Sequence, residues 1–375
     1  MSNHISPETG KRLNLFRPAL WASIGYVILL AGGGCLRLYY CFQLTPYTTD
    51  LVRNLGYGKA FPYYGLVLYD LTPLDLAPYP CQYFWENHHY SYPPVTMLLF
   101  ASIAALGTAL PLAKIILTLF DAAGSWAMWK YTGDRWVVLL YWLNPTSVWF
   151  TSREGQFEGF VVFWSVLALL ALQHKKNYAL GILGLAIQTK FFPIFLLPYF
   201  LQNLSWREPR RLTAQLAWGI FSLVPSLLAY LFGGYPAHLL EMNYVPNINP
   251  LSWFVADPTR YVEYPVWLIY SHLFFSVAFE FFCLYGLKRT QTIWPWLTPF
   301  LFVFQVHTSR LGQFWYLMYL PALCLLVEEK NFRRALFLGC WGMSLLGLSS
   351  IVSGLTGYQN PPDVMLLIER IFWGF

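Results

Sequence analysis

The sequence predicts an all-α polytopic membrane protein, with about 11 transmembrane helices in one membrane domain. Three observations lead there. Of 375 residues, 57% are hydrophobic and only 11% are charged, whereas a soluble domain carries about a quarter charged residues. Several apolar stretches approach the roughly 20 residues a helix needs to cross a bilayer. Basic residues gather in the short segments between those stretches, as the positive-inside rule requires.

The start, residues 1–18, is polar and contains Lys11, Arg12 and Arg17. The apolar run from Trp21 to Phe42 is too long for a cleaved signal peptide and lacks a small-residue cleavage site, so it reads as a retained first helix with a cytoplasmic N-terminus. Further spans fall near 111–129, 136–150, 157–173, 178–189, 191–203, 212–232, 265–287, 294–306, 311–327 and 335–353. The connecting segments carry Lys130/Arg135, Lys175/Lys176, Arg207/Arg210/Arg211, Lys288/Arg289 and Lys330/Arg333/Arg334. Placing them all inside with the N-terminus allows only two crossings before residue 130. The apolar segment 93–110 is therefore expected not to span. It belongs to a large first extracytoplasmic loop, 43–110, as an interfacial helix, and a second outer loop covers 233–264. With no repeat and no linker, residues 1–375 form a single domain.

The net charge of +6 is spread over these loops and reports orientation, with no nucleic-acid partner. Of six cysteines only Cys81 sits in a loop, and no CxxC or Cys/His cluster indicates a disulfide framework or a zinc site. The 17 Trp, 26 Tyr and 30 Phe exceed what an aromatic belt requires. They pack between helices or line a lipid or sugar cavity.

Charges at membrane depth cost about 2.5–3.5 kcal/mol each on insertion scales and mark interiors or watery cavities. Arg153, Glu154, Gln156 and Glu158 interrupt the apolar pattern after Asn144-Pro145, and Lys190 interrupts it again before Phe191-Phe192-Pro193. The i,i+4 spacing of Glu154 and Glu158 would put both on one helix face, serving either substrate or an interhelical ion-pair network. His307 and Arg310 sit between two later spans. Lys190 and Arg310 suit a phosphate leaving group at a cavity rim. Asp50 follows the first helix and either caps the next one or accepts a proton from a hydroxyl. Asp121 is a mid-span acid read as structural, while Arg37 and Glu280 receive no role. A P-loop, GxSxG, HExxH and a Rossmann fingerprint are all lacking.

The ordered set of Asp50, Ser91-Tyr92-Pro93-Pro94, Lys114 to Asp121, Asn144-Pro145, Ser152 to Glu158 and Thr189 to Pro193 resembles the GT-C glycosyltransferases. Within them it is most similar to polyprenol-phosphate-mannose mannosyltransferases of the GPI mannosyltransferase I type and their bacterial relatives. The similarity covers about residues 45–200, with an echo over 310–320. The resemblance implies an inverting transfer of a sugar, mannose, from a polyprenyl-phosphate donor to a lipid or glycan acceptor at the extracytoplasmic face. By the resemblance Asp50 is the general base, and Arg153, Glu154, Gln156, Glu158, Lys190, His307 and Arg310 are expected to contact substrate. Many relatives carry Asp-x-Asp where this chain has Thr48-Thr49-Asp50, and one carboxylate does not support a divalent metal; no cofactor is expected. The partners are then the donor, the acceptor and membrane lipids. Short loops favour a bacterial inner membrane. Intramembrane charges and Pro-broken helices also suit a transporter or flippase of lipid-linked sugars.

Overall fold

Proline, glycine and asparagine punctuate an apolar chain, and the helices start and stop where they fall. The computed structural model describes residues 9–43, 49–76, 89–235, 266–288, 292–308 and 314–352. Among them every regular element is helical.

Helix α1 (Thr9–Cys41) turns Val27, Ile28, Leu38 and Tyr39 outward and buries Arg37. At Gly33 a Cβ would lie 2.6 Å from Leu143 and 2.8 Å from the Trp142 indole nitrogen, so only glycine lets α1 approach so closely there. That indole nitrogen donates to the Leu30 carbonyl at 3.0 Å.

Helix α2 (Thr49–Tyr64), two 3-10 turns (Gly65–Asp70 and Pro73–Leu76) and α3 (Pro94–Leu106) follow. Gly58 leaves no room for a Cβ against the Phe100 carbonyl, so α2 and α3 meet backbone to backbone. Tyr57, Leu68, Tyr69, Tyr90, Met97, Ala229 and Tyr235 form a small separate core on this side. Proline fits the first position of α3 because its missing N–H needs no partner there. The 13 residues of α3 reach about 20 Å, short of the roughly 30 Å hydrocarbon core.

Helix α4 (Leu110–Thr132) ends at Gly133, whose φ of 64° is left-handed and whose N–H returns to the Trp129 carbonyl at 2.8 Å. Asp134 accepts from the Trp136 N–H and starts α5 (Arg135–Trp142). Asn144 accepts from the N–H groups of Thr146 and Ser147 and opens the turn Pro145–Ser147, which runs into a π-helical segment, Val148–Arg153. Gly155 takes a φ of 75°, and α6 (Glu158–Gln173) departs bent by 120° from the segment before it.

The remaining elements are α7 (Ala179–Ile187), a 3-10 turn (Phe192–Leu196), α8 (Leu197–Gln202), α9 (Pro209–Ser222) and α10 (Val224–Gly233). After them come α11 (Val266–Leu287), α12 (Trp294–Thr308), a 3-10 turn (Phe314–Tyr319), α13 (Leu320–Cys324) and α14 (Lys330–Val352). Helix α14 docks on α5 and the Asn144 turn, with Trp341 donating to the Leu140 carbonyl at 2.6 Å and Ser344 to Asn144 at 3.2 Å.

Three helical stretches among the described residues are long and apolar enough to cross a membrane: Ser23–Cys41, Leu110–Thr132 and Pro209–Gly233. The bent pair Pro145–Arg153 and Glu158–Gln173 adds a fourth if it is one span. The described residues thus do not confirm the expected count of about 11. Span 136–150 breaks at Asn144-Pro145, span 191–203 becomes a 3-10 turn and a six-residue helix around Pro193 and Pro198, and span 178–189 shortens to nine helical residues. Proline and 3-10 geometry interrupt the hydrogen-bond ladder without lowering hydropathy.

The helices also segregate charge. The N-terminal end of α6 carries Glu158, while its C-terminal end leads to Lys175. Beside Lys175 lies Arg211, which donates to its carbonyl at 2.6 Å. Also remote from Glu158, after α4, Arg334 grips Asp134 through two bonds of 2.8 Å.

Candidate active site at the helix bend

The 120° bend decides where the polar residues go. A π-helical turn carries one extra residue per turn and so re-aims the side chains that follow it. Glu154 ends that turn and Glu158 begins α6. The two glutamates therefore do not share a helix face, contrary to the expectation from their spacing, because the helix is broken between them.

Glu158 meets Lys190. The two side chains form a direct ion pair, with Glu158 fully buried and Lys190 8% exposed. Glu158 Oε2 has no hydrogen-bond partner among the described residues. The ammonium lies 4.8 Å from the Tyr316 ring centroid, 4.9 Å from Phe157, 5.6 Å from Tyr92 and 6.0 Å from Tyr319. Those rings replace part of the hydration a buried cation loses. Thr96 holds the same turn by donating to the Thr189 carbonyl at 2.6 Å.

Asp50 lies in the first turn of α2, where the positive helix end favours an acid. Gln156 donates to its Oδ2 at 3.1 Å, and Arg53, one turn on, stands 3.6 Å from its Oδ1. Its side chain keeps 21% of its surface open. The Arg53 guanidinium sits 5.4 Å from the Tyr92 centroid. The Tyr92 ring thus neighbours both Arg53 of the Asp50–Arg53 pair and Lys190 of the Glu158–Lys190 pair. Tyr92 also packs edge-on against Phe157 at 4.8 Å.

The other expected site residues turn elsewhere. Arg153 stacks over Trp149 at 3.7 Å, near Tyr40 and 4.0 Å from the buried Glu154. Glu154 shares that region with Lys114, whose ammonium donates to the Gln43 carbonyl at 2.6 Å. The backbone of His307 belongs to α12, its side chain lies outside the described portion, and Arg310 lies outside the described residues altogether, as does Cys81.

Asp121 is the centre of a third cluster. It is fully buried, pairs with Arg37 at 2.8 Å and accepts from the hydroxyls of Tyr141 and Ser147. Arg37 also donates to the Trp142 carbonyl at 2.8 Å and to the Ser147 and Ser152 hydroxyls at 2.7 and 3.2 Å. The pair bolts α1 and α4 to the turn leading into the bend. A Cβ at Gly159 would lie 2.6 Å from Asp121 Oδ1, so α6 begins hard against this carboxylate.

Sequence reasoning missed Arg37, Arg53, Tyr316 and Tyr319. Arg37 and Asp121 were each an isolated charge of opposite sign in an apolar span, which is itself a signal to pair them. Arg53 stands i,i+3 from Asp50. Nothing local marks the tyrosines. Among the described residues no group of His, Cys, Asp and Glu is arranged to hold a metal.

Residues 90–239 match the model of glycosyltransferase family 87. That segment is less than half of the chain and includes Tyr92, Gln156, Glu158 and Lys190 but not Asp50. No curated protein and no solved structure matches the chain. The chain is thus similar to a glycosyltransferase family over the region that builds the bend, which supports transferase activity on a sugar donor and an acceptor in a membrane protein.

Proposed function

We propose that the protein is an inverting glycosyltransferase that moves mannose from a polyprenyl-phosphate donor to a hydroxyl of a lipid or glycan acceptor at the extracytoplasmic face. The observation that carries this reading is the pairing around Tyr92. A partly open carboxylate, oriented by Gln156 and Arg53, and a desolvated ammonium are tied to one ring, the first through Arg53. The first suits a base and the second suits a phosphate.

In the transfer, the acceptor oxygen attacks sugar C1 and gives its proton to Asp50. The C1–O bond to phosphate breaks, and its electron pair leaves on the phosphate oxygen. An ammonium has three N–H donors. With one held by Glu158, Lys190 keeps others for the departing phosphate, and its aromatic surround excludes the water that would weaken it. His307 and Arg310 complete the phosphate contacts in this scheme by their place in the chain, and Arg153 and Glu154 brace the bend.

The extracytoplasmic placement is supported by charge. Lys175, Arg211 and Arg334 lie at helix ends remote from Glu158, and such residues favour the cytoplasmic side. A bacterial inner membrane is the setting this reading assumes.

Purified protein incubated with polyprenyl-phosphate mannose and lipid acceptors should transfer sugar. Asp50→Asn should lower kcat by about 10²–10⁴-fold with little change in melting. A folded Asp50→Asn variant with undiminished turnover would remove Asp50 as the base. The broken helix at residues 145–158 equally suits transport of a lipid-linked sugar. Donor translocation in vesicles without sugar transfer would favour that second function.

A further inference from the structure

A cavity of about 660 Å³ opens between α4, α6, α8, α9 and the turn leading into α14. It is remote from the bend: the 16 residues of α6 put about 24 Å between their ends. Its lining holds three cations, Lys175, Arg211 and Arg333, against two carboxylates, Glu208 and Glu328. Arg211 is already engaged, by the Lys175 carbonyl at 2.6 Å, Asn177 at 3.3 Å and Glu208 at 3.8 Å.

Arg333 is different. It is 7% exposed, and one of its terminal nitrogens donates to the Val327 carbonyl at 2.8 Å. Its Nε has no hydrogen-bond partner among the described residues. A buried donor left unmet is costly, and more so on a charged group. The fork of a guanidinium matches phosphate oxygens in geometry as well as charge. Lys175 lines the same cavity and supplies a second cation to it.

We infer that this cavity binds a phosphate-bearing head group with hydroxyls, anchored by Arg333. The volume lies in the range of small-molecule sites and exceeds what a bare phosphate fills. Glu208 and Glu328 repel a phosphate but accept hydroxyl protons, so a glycerol phosphate fits the mixed lining. It reaches the cavity as the head of an anionic lipid or as free glycerol phosphate.

Native mass spectrometry of the intact protein, released from nanodiscs of phosphatidylglycerol and phosphatidylcholine, tests the inference. The wild type should retain phosphatidylglycerol over phosphatidylcholine, and Arg333→Gln should lose that retention by about tenfold, the worth of one charge-assisted bond. Arg333→Lys can keep the bond to Val327 but not the Nε donor. It should melt as the wild type does and still lose retention, which separates binding from folding. A melting shift with glycerol phosphate in lipid-free wild type, lost in both variants, would assign the cavity to the soluble source. Equal retention of the two lipids with no shift by glycerol phosphate, or Arg333→Lys behaving as wild type in both assays, overturns the inference. The readouts are binding and melting, so they stand apart from glycosyl transfer.

Discussion

Removing the charge of Glu158 while keeping its shape, as Glu158→Gln does, leaves Lys190 as a buried ammonium without its anion. Breaking a buried ion pair from one side costs about 3–5 kcal/mol. The four rings around the ammonium, with centroids 4.8–6.0 Å away, return about 0.5–2 kcal/mol. A net loss of about 1–4.5 kcal/mol is expected. Lys190→Met should cost more. It strands a fully buried carboxylate whose Oε2 already lacks a partner, and the negative faces of the rings offer an anion nothing. The double variant removes both charges and should melt close to the wild type. Thermal melting of the purified protein in one detergent reads the three variants, and sugar transfer is measured in parallel. The double variant should regain stability but not transfer, because the phosphate has lost its cation. A double variant that loses the sum of the single losses would refute the coupling. One that melts like the wild type and transfers sugar normally would refute the role of Lys190.

Three further expectations follow from the same geometry. Asp121→Ala should destabilise by about 3–5 kcal/mol by stranding Arg37, and Arg37→Met/Asp121→Leu should recover most of it in a double-mutant cycle; an Asp121→Ala variant melting like the wild type would be contrary. Gly155→Ala places a Cβ at a φ of 75° and 3.2 Å from the Leu51 Cβ, which should cost about 1–3 kcal/mol. Leu51 adjoins Asp50, so kcat for transfer should fall as well, and an unchanged melt and rate would speak against it. Burial alone would raise the Asp134 carboxyl, but the Arg334 guanidinium and the Trp136 N–H outweigh it and hold the group below the usual carboxylate range. A depressed carboxyl stabilises above its unfolded pKa, and the benefit disappears as pH falls through the folded value. Asp134→Asn should therefore melt lower than the wild type near neutral pH, by about 1 kcal/mol, with the gap closing below about pH 4. A gap that persists in acid would rule this out.

Part of the site was legible from residue type alone. Gln156, Glu158 and Lys190 stood out because each interrupts an apolar pattern; Gln156 bonds Asp50, and Glu158 pairs with Lys190. Arg153 and Glu154 stood out for the same reason yet turn toward Trp149 and Lys114. The difference lies in the π-helical turn and Gly155. Hydropathy does not register an extra residue in a turn, so spacing read on an ideal helix put two glutamates on one face that does not exist.

The sequence by itself determined the class of the protein. Its scarcity of charge suits helices in an apolar medium, a property of composition summed along the chain. The positions of the breaks were also set locally, since Pro145, Pro193 and Gly133 act on their own backbone. What only the tertiary structure decided was partnership. Lys190 is 32 residues from Glu158, Gln156 is 106 from Asp50, and Arg37 is 84 from Asp121. No local rule links residues so far apart. They meet because a buried charge must find its counter-charge wherever the packed helices bring one within reach.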